Sequence, residues 1–318
     1  MARVSWRRRS RGCLFTFHRA AASDVWANLP NRKFYLDLDF LDRFLTYLKQ
    51  KQWAVVTIDE AIRRASLNKA GDRYVNFSVD DCYRDTFEAV VPVFRRHGVP
   101  LTLYVTTGIP DGTAALWYTG LEDVIATRER VKVGSQTIET QSILAKRKAF
   151  RQVSSAWDGP CADEHYAAFC RSNDVDPKAI RESHAISWDM LDTLRNDDLV
   201  EIGAHTMSHA RISSLTRSAA LAEIAGSGER LRRRLGVPVR HFAFPYGRRS
   251  DCGPRDFDFV REAGFASAAT TRKGLIQTSS APFVLPRNTL NGSHQNIAIM
   301  EAHLSGLSGL AAKWLHID

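Results

Sequence analysis

From Cys13 onward the chain alternates short β-branched or aromatic runs with longer stretches of helical periodicity, a pattern that builds βα units around a mainly parallel sheet. Strands are expected at residues 13–17, 53–56, 74–79, 101–106, 199–204 and 239–244, with shorter extended pieces near 266–270 and 283–285. Helices are expected at 40–51, 87–97, 188–195, 218–235 and 256–263, and from about Asn296 onward. Gly98 and Pro100 stop the helix that precedes them. Between Gly108 and Ser183 the rhythm gives way to helical segments with no clear strand, so residues 108–183 read as a helical insertion within a single domain, 1–318. With 44% hydrophobic and 25% charged residues, 318 residues suffice for one α/β barrel core.

Several function classes drop out. A formal charge of +9 invites an anionic partner, but the basic residues lie in scattered runs such as Lys146-Arg147-Lys148 and Arg232-Arg233-Arg234, with no nucleic-acid module around them. Nucleic acid is therefore not expected as a partner. The first dozen residues are basic (Arg3, Arg7, Arg8, Arg9, Arg11), yet His18 and Arg19 break the apolar stretch that follows, unlike a secretory leader. No apolar run approaches the roughly 20 residues of a membrane helix. Five cysteines, Cys13, Cys82, Cys161, Cys170 and Cys252, without a paired-thiolate spacing, fit reduced thiols and a cytoplasmic protein. No pattern specifies an oligomeric state.

Three segments carry chemistry, each just past the end of an expected strand, where barrels and doubly wound sheets place their sites. In Ser78-Val79-Asp80-Asp81-Cys82, adjacent carboxylates in β geometry point different ways, so one can ligate a metal while its neighbour faces an activated water. A plainer reading is a turn or helix cap supplied by Asp81 or Asp85. In Gly203-Ala204-His205-Thr206-Met207-Ser208-His209, two histidines at i, i+4 would share one face of a helical turn. With Asp81 they make a two-histidine, one-carboxylate set that leaves coordination positions open for water and substrate. Phe242-Ala243-Phe244-Pro245-Tyr246-Gly247 is an aromatic strand stopping in a rigid turn, which could aim a backbone N–H such as that of Tyr246 at a developing oxyanion.

In this order the blocks resemble the polysaccharide deacetylases of carbohydrate esterase family four, which include the nodulation-type chitooligosaccharide deacetylases. The family's T-F-D-D-G-Y block corresponds to Ser78-Val79-Asp80-Asp81-Cys82-Tyr83, its H-[ST]-x-x-H block to His205–His209, and its R-x-P-Y-G block to Ala243–Gly247. Weaker echoes are Phe15-Thr16-Phe17-His18-Arg19 and Gly264-Phe265. The resemblance implies a distorted (β/α) barrel with fewer strands than the eight-fold form. It also implies a divalent ion, usually zinc, held by Asp81, His205 and His209, with Asp80 as general base and the Tyr246 N–H at the oxyanion. The implied substrate is an N-acetylated sugar, oligosaccharide or sugar-linked precursor; rival readings are a formylated or non-sugar amide, and a glycan-binding homologue without turnover.

The chain departs from the family pattern at four places. Val79 and Cys82 stand for Phe and Gly, Ala243 for the arginine that orients the base in many members, and Leu285-Pro286-Arg287 lacks the late histidine that serves as general acid. Candidates for protonating the leaving amine are His18, His294 and Asp80 itself returning its proton. Trp117, Tyr118 and Trp188 are candidates for stacking on a sugar face or for core packing.

Overall fold

A computed structural model describes residues 11–157, 159 and 161–315; Arg3, Arg7, Arg8 and Arg9 lie outside the described residues. The main sheet has eight strands: β1 (Arg11–Phe17), β2 (Ala54–Val55), β3 (Arg73–Asp81), β4 (Leu101–Val105), β5 (Val200–Ala204), β6 (His241–Ala243), β7 (Ser267–Ala269) and β8 (Asn288–Thr289). Their pairings are parallel, in the order β7-β6-β5-β4-β3-β1-β8. β2 lies beside β3 at Tyr74 and Val75, before β4 takes over that edge at Ser78.

The sheet curls into a half-barrel, and one segment stitches its open side. Leu285 bridges Ala269 of β7, and immediately afterwards β8 pairs with Phe15 and Thr16 of β1. This is the distorted (β/α) barrel expected, short of an eight-strand ring because β2 stays off the ring path.

The two-residue period of the strands sorts side chains to the two faces. Leu14, Tyr74, Tyr104, Ala243, Ala269 and Leu285 pack together inside the curl. Phe15, Phe77, Val79, Ile202 and Phe242 face the helices. There Phe15 stacks on Phe77 at 5.4 Å and meets Phe44 edge-on at 5.5 Å; full burial of a side chain this size contributes roughly 1.5–3 kcal/mol.

One local expectation is refined and another corrected. The helix expected at 87–97 is a π-turn, Thr86–Val90, running into an α-helix, Val91–His97, that ends at Gly98 with φ 63°. Pro92 has no N–H to continue the regular ladder, so the backbone accommodates it with a wider turn upstream. Between β4 and β5, helices Trp117–Thr127, Ile143–Trp157, Ala162–Ser172 and Pro177–His184 are accompanied by an antiparallel hairpin, Arg130–Val133 with Gln136–Glu139, where no strand was expected. Its signal was a two-residue turn headed by Gly134 (φ 60°) between alternating apolar residues, of which Val131 and Ile138 join Leu121, Phe150 and Phe169 in a cluster of their own.

His303, on helix Ile297–Ser305, is buried edge-on to Phe15, 6.1 Å away, with Nδ1 2.7 Å from Ser308 Oγ. Burial, helped by the positive charges of His294 and Lys273, pushes its pKa down to about 4. The unfolded chain takes up that proton near pH 6.5 and the native state does not, so this contribution to stability is complete above about pH 6.5 and declines as pH falls toward 4. His303→Leu is expected to narrow the difference between urea midpoints at pH 7.5 and pH 5.0. An unchanged difference would contradict the assignment.

Candidate active site

β3 delivers two carboxylates to one end of the barrel. Ser78 and Asp80 point inward with Thr16, and the Asp80 carboxylate, 2% exposed, is gripped end-on by the 1%-exposed Arg287. Nη1 donates to Oδ1 at 2.6 Å and Nη2 to Oδ2 at 2.8 Å. The same guanidinium donates to Thr16 Oγ1, Ser78 Oγ and the Thr270 carbonyl at 2.9–3.0 Å, and lies over the Tyr104 ring. Arg287 belongs to the segment that stitches β7 to β1, so closing the barrel is what places this cation in the interior. Burial alone would raise the Asp80 pKa, but the charge of Arg287 and then that of His205 outweigh it and hold the carboxyl at about 2.

Beyond Asp80 the backbone turns left-handed at Asp81 (φ 67°) and Cys82 (φ 65°), the second a position where glycine is usual. The Cys82 thiol is buried against the Val79 and Tyr104 carbonyls, and burial raises its pKa well above the ordinary value, so it stays neutral. Asp81 Oδ1 stands 3.5 Å from His205 Nε2 and 3.3 Å from His209 Nε2. That oxygen is buried without a hydrogen-bond partner.

The histidine segment is not helical. Residues 205–211 form an irregular loop with positive φ at Thr206 (65°) and His209 (60°), and it is this backbone, not a helical face, that brings the two imidazoles together. Glu223 holds the loop by accepting from the Met207 and Ser208 N–H groups and the Ser208 hydroxyl. His205 Nδ1 donates to the Ala243 carbonyl at 2.8 Å, leaving the Nε2 lone pair directed at Asp81. Burial, partly opposed by Asp80 and Asp81, pushes the His205 pKa down to about 4, so the ring is neutral at neutral pH. A neutral imidazole, an unpartnered carboxylate oxygen and a second imidazole, all within 4.8 Å of one another, fit the donor set of a divalent transition cation.

The third strand end completes the wall. Gly247 has φ 70°, and a Cβ there would sit 2.7 Å from Thr271 N. The carbonyl of Tyr246 (φ 61°) accepts from the Thr271 hydroxyl at 2.6 Å, and the Tyr246 ring lies 5.0 Å from that of His209, with the Arg211 guanidinium 4.5 Å over it.

Other sequence candidates fall elsewhere. His18 packs on Phe34 at 4.9 Å and lies within electrostatic reach of Asp80, whereas His294 is exposed. Trp117 and Tyr118 pack against the cluster between β4 and β5, and Trp188 donates to Asp111 beneath Arg230 and Arg234. Asp85 caps no helix; it accepts from Arg19 and from Ala20 N–H. In the sequence, Arg287 reads only as the place of a missing histidine. The available signal was that one strand end lacks an arginine while another has gained one.

The family model for polysaccharide deacetylase matches residues 67–255. No curated protein matches the chain in sequence. Among solved structures, the Streptococcus pyogenes deacetylase PplD in complex with acetate superposes with a TM-score of 0.60 at 13% identity, over 92% of this chain and 97% of that one. A de-N-acetylase from Aggregatibacter actinomycetemcomitans gives 0.60 at 13% identity over 92% and 100%. IcaB from Ammonifex degensii gives 0.59 at 17% over 92% and 97%. At these identities the superpositions establish the shared fold.

Proposed function

The chain belongs to the polysaccharide deacetylase family and is a hydrolase acting on carbon–nitrogen bonds; on that footing we propose that it is a metal-dependent N-deacetylase of an amino-sugar substrate, with Asp80 as base and Asp81, His205 and His209 as ligands. The observation that carries this reading is the buried, unpartnered Asp81 Oδ1 facing two imidazole nitrogens beside a paired Asp80. A divalent ion bound there, zinc by its preference for such donors, would supply Lewis acidity to the acetyl carbonyl and to water.

Asp80 accepts the proton of the attacking water. Both of its oxygens are engaged by Arg287, yet each keeps a second lone pair, so the clamp orients the carboxylate without filling it. The Tyr246 N–H is assigned to the developing oxyanion at the turn that follows β6. His18, near Asp80, is the better-placed donor to the leaving amine than the exposed His294. The acetate held by the streptococcal structure is the product this reading expects.

Chelation is the direct test. Acetate release from N-acetylglucosamine oligomers should stop on chelation and return with added Zn²⁺, while N-formyl and non-sugar amides turn over more slowly. Release that survives removal of all bound metal would refute the metal-dependent reading. We propose a cytoplasmic location, a reading supported by the free thiols, which suit a reducing compartment.

A further inference from the structure

A second convergence of ligating groups lies at the opposite mouth of the barrel. Glu201 is the second residue of β5, His241 opens β6, and Asp59 is in the first turn of helix Ile58–Leu67. His241 is 1% exposed, and its Nε2, without a hydrogen-bond partner, sits 3.3 Å from Asp59 Oδ1 and 3.3 Å from Glu201 Oε1. All three donor atoms fall within 4.8 Å of one another.

Each of these groups is oriented from behind. His241 Nδ1 is hydrogen-bonded to Ser267 Oγ at 2.9 Å. Glu201 commits its other oxygen to the Ile58 N–H at 3.2 Å and the Thr102 hydroxyl at 2.9 Å. Asp59 commits its other oxygen to Arg240 at 3.1 Å. One atom of each residue is thus fixed by the protein while the remaining atom is turned toward a common point, the outer-shell support expected of metal ligands. The spacing agrees: tetrahedral bonds of about 2.0–2.1 Å put ligand atoms about 3.3–3.4 Å apart. The Asp81–His205–His209 cluster has contacts of 3.3 and 3.5 Å.

We propose that Asp59, Glu201 and His241 bind a second divalent cation, of the zinc or manganese class that accepts mixed imidazole and carboxylate donors. A cavity of about 350 Å³, lined by these residues with Arg195, Val237 and Arg240, gives an ion a path in and leaves room for water as a further ligand. Glu201 is level with Thr102 and Ser78 across the sheet, two residues before Asp80 on the barrel wall, so this ion would be separate from the Asp80 carboxylate. Its role is to join a helix and two strands that are far apart in the chain, stabilising the native state by binding it and not the unfolded one.

The experiment uses the full chain carrying His205→Ala and His209→Ala, which disables the first cluster. After chelation, dialysis against Zn²⁺ and removal of excess, metal analysis should find one equivalent, and Co²⁺ in its place should give the visible absorption of a low-symmetry N/O site. Adding His241→Gln should abolish binding. Adding Asp59→Asn, at the half-exposed rim where folding is not at risk, should weaken it 10- to 100-fold. No bound metal in the double variant, or an equivalent insensitive to both further substitutions, would overturn the proposal. The outcome is independent of the first site: a wild-type protein with one equivalent that His205→Ala/His209→Ala retains would remove the catalytic-site assignment and leave this one standing.

Discussion

Asp80→Asn is expected to lower kcat for acetate release by about 10²- to 10⁴-fold, the usual contribution of a positioned proton acceptor, with bound metal at the wild-type level. An amide cannot take the proton, and it also opposes its own N–H donors to those of Arg287. The substitution therefore leaves a buried guanidinium without a counter-charge, at a cost of about 3–5 kcal/mol. The urea midpoint should drop accordingly. Adding Arg287→Met should recover part of that stability but none of the activity, which separates lost chemistry from lost folding. Near-wild-type turnover by folded Asp80→Asn would mean that another group is the base.

Arg287→Met is the second large effect. It leaves Asp80 buried with its main counter-charge gone, so stability should fall by a similar 3–5 kcal/mol and kcat by about 10²-fold or more. A pH profile distinguishes an orienting role from mere scaffolding. In the wild type the carboxyl is held at about 2, below its unfolded value, so the pair contributes stability above about pH 4 and loses it as pH falls toward 2. Without the guanidinium, burial dominates and raises that pKa, and once it passes the pH near 4 at which the His205 ring takes up a proton the acid limb of kcat/KM should move to higher pH. Arg287→Lys restores the charge without the two-pronged geometry, and should return the limb toward its wild-type position while recovering only part of kcat. An unshifted limb in Arg287→Met would show that the pair does not tune the base.

These predictions turn on a residue whose partner is not fixed by its neighbours along the chain. The motif blocks were legible because strand and helix periods are local, and the ends of strands are where chemistry collects. Ser78-Val79-Asp80-Asp81, the two histidines and the turn after Phe244 could all be marked as site candidates on that ground. Periodicity also failed locally: the i, i+4 spacing of His205 and His209 suggested a helix, but left-handed residues at Thr206 and His209 make the loop that joins them to Asp81.

The order of the main-sheet strands and their helices, the polarity of each strand face and the residue types that offer themselves as candidate ligands were thus legible in sequence alone. The partner of Asp80 was decided only by tertiary structure, because Arg287 reaches it through the segment that pairs first with β7 and then with β1. The gathering of Asp59, Glu201 and His241 was decided the same way. Both depend on strand register and on how the sheet curls, which are set by packing summed over the whole barrel and leave no trace in the spacing of neighbouring residues.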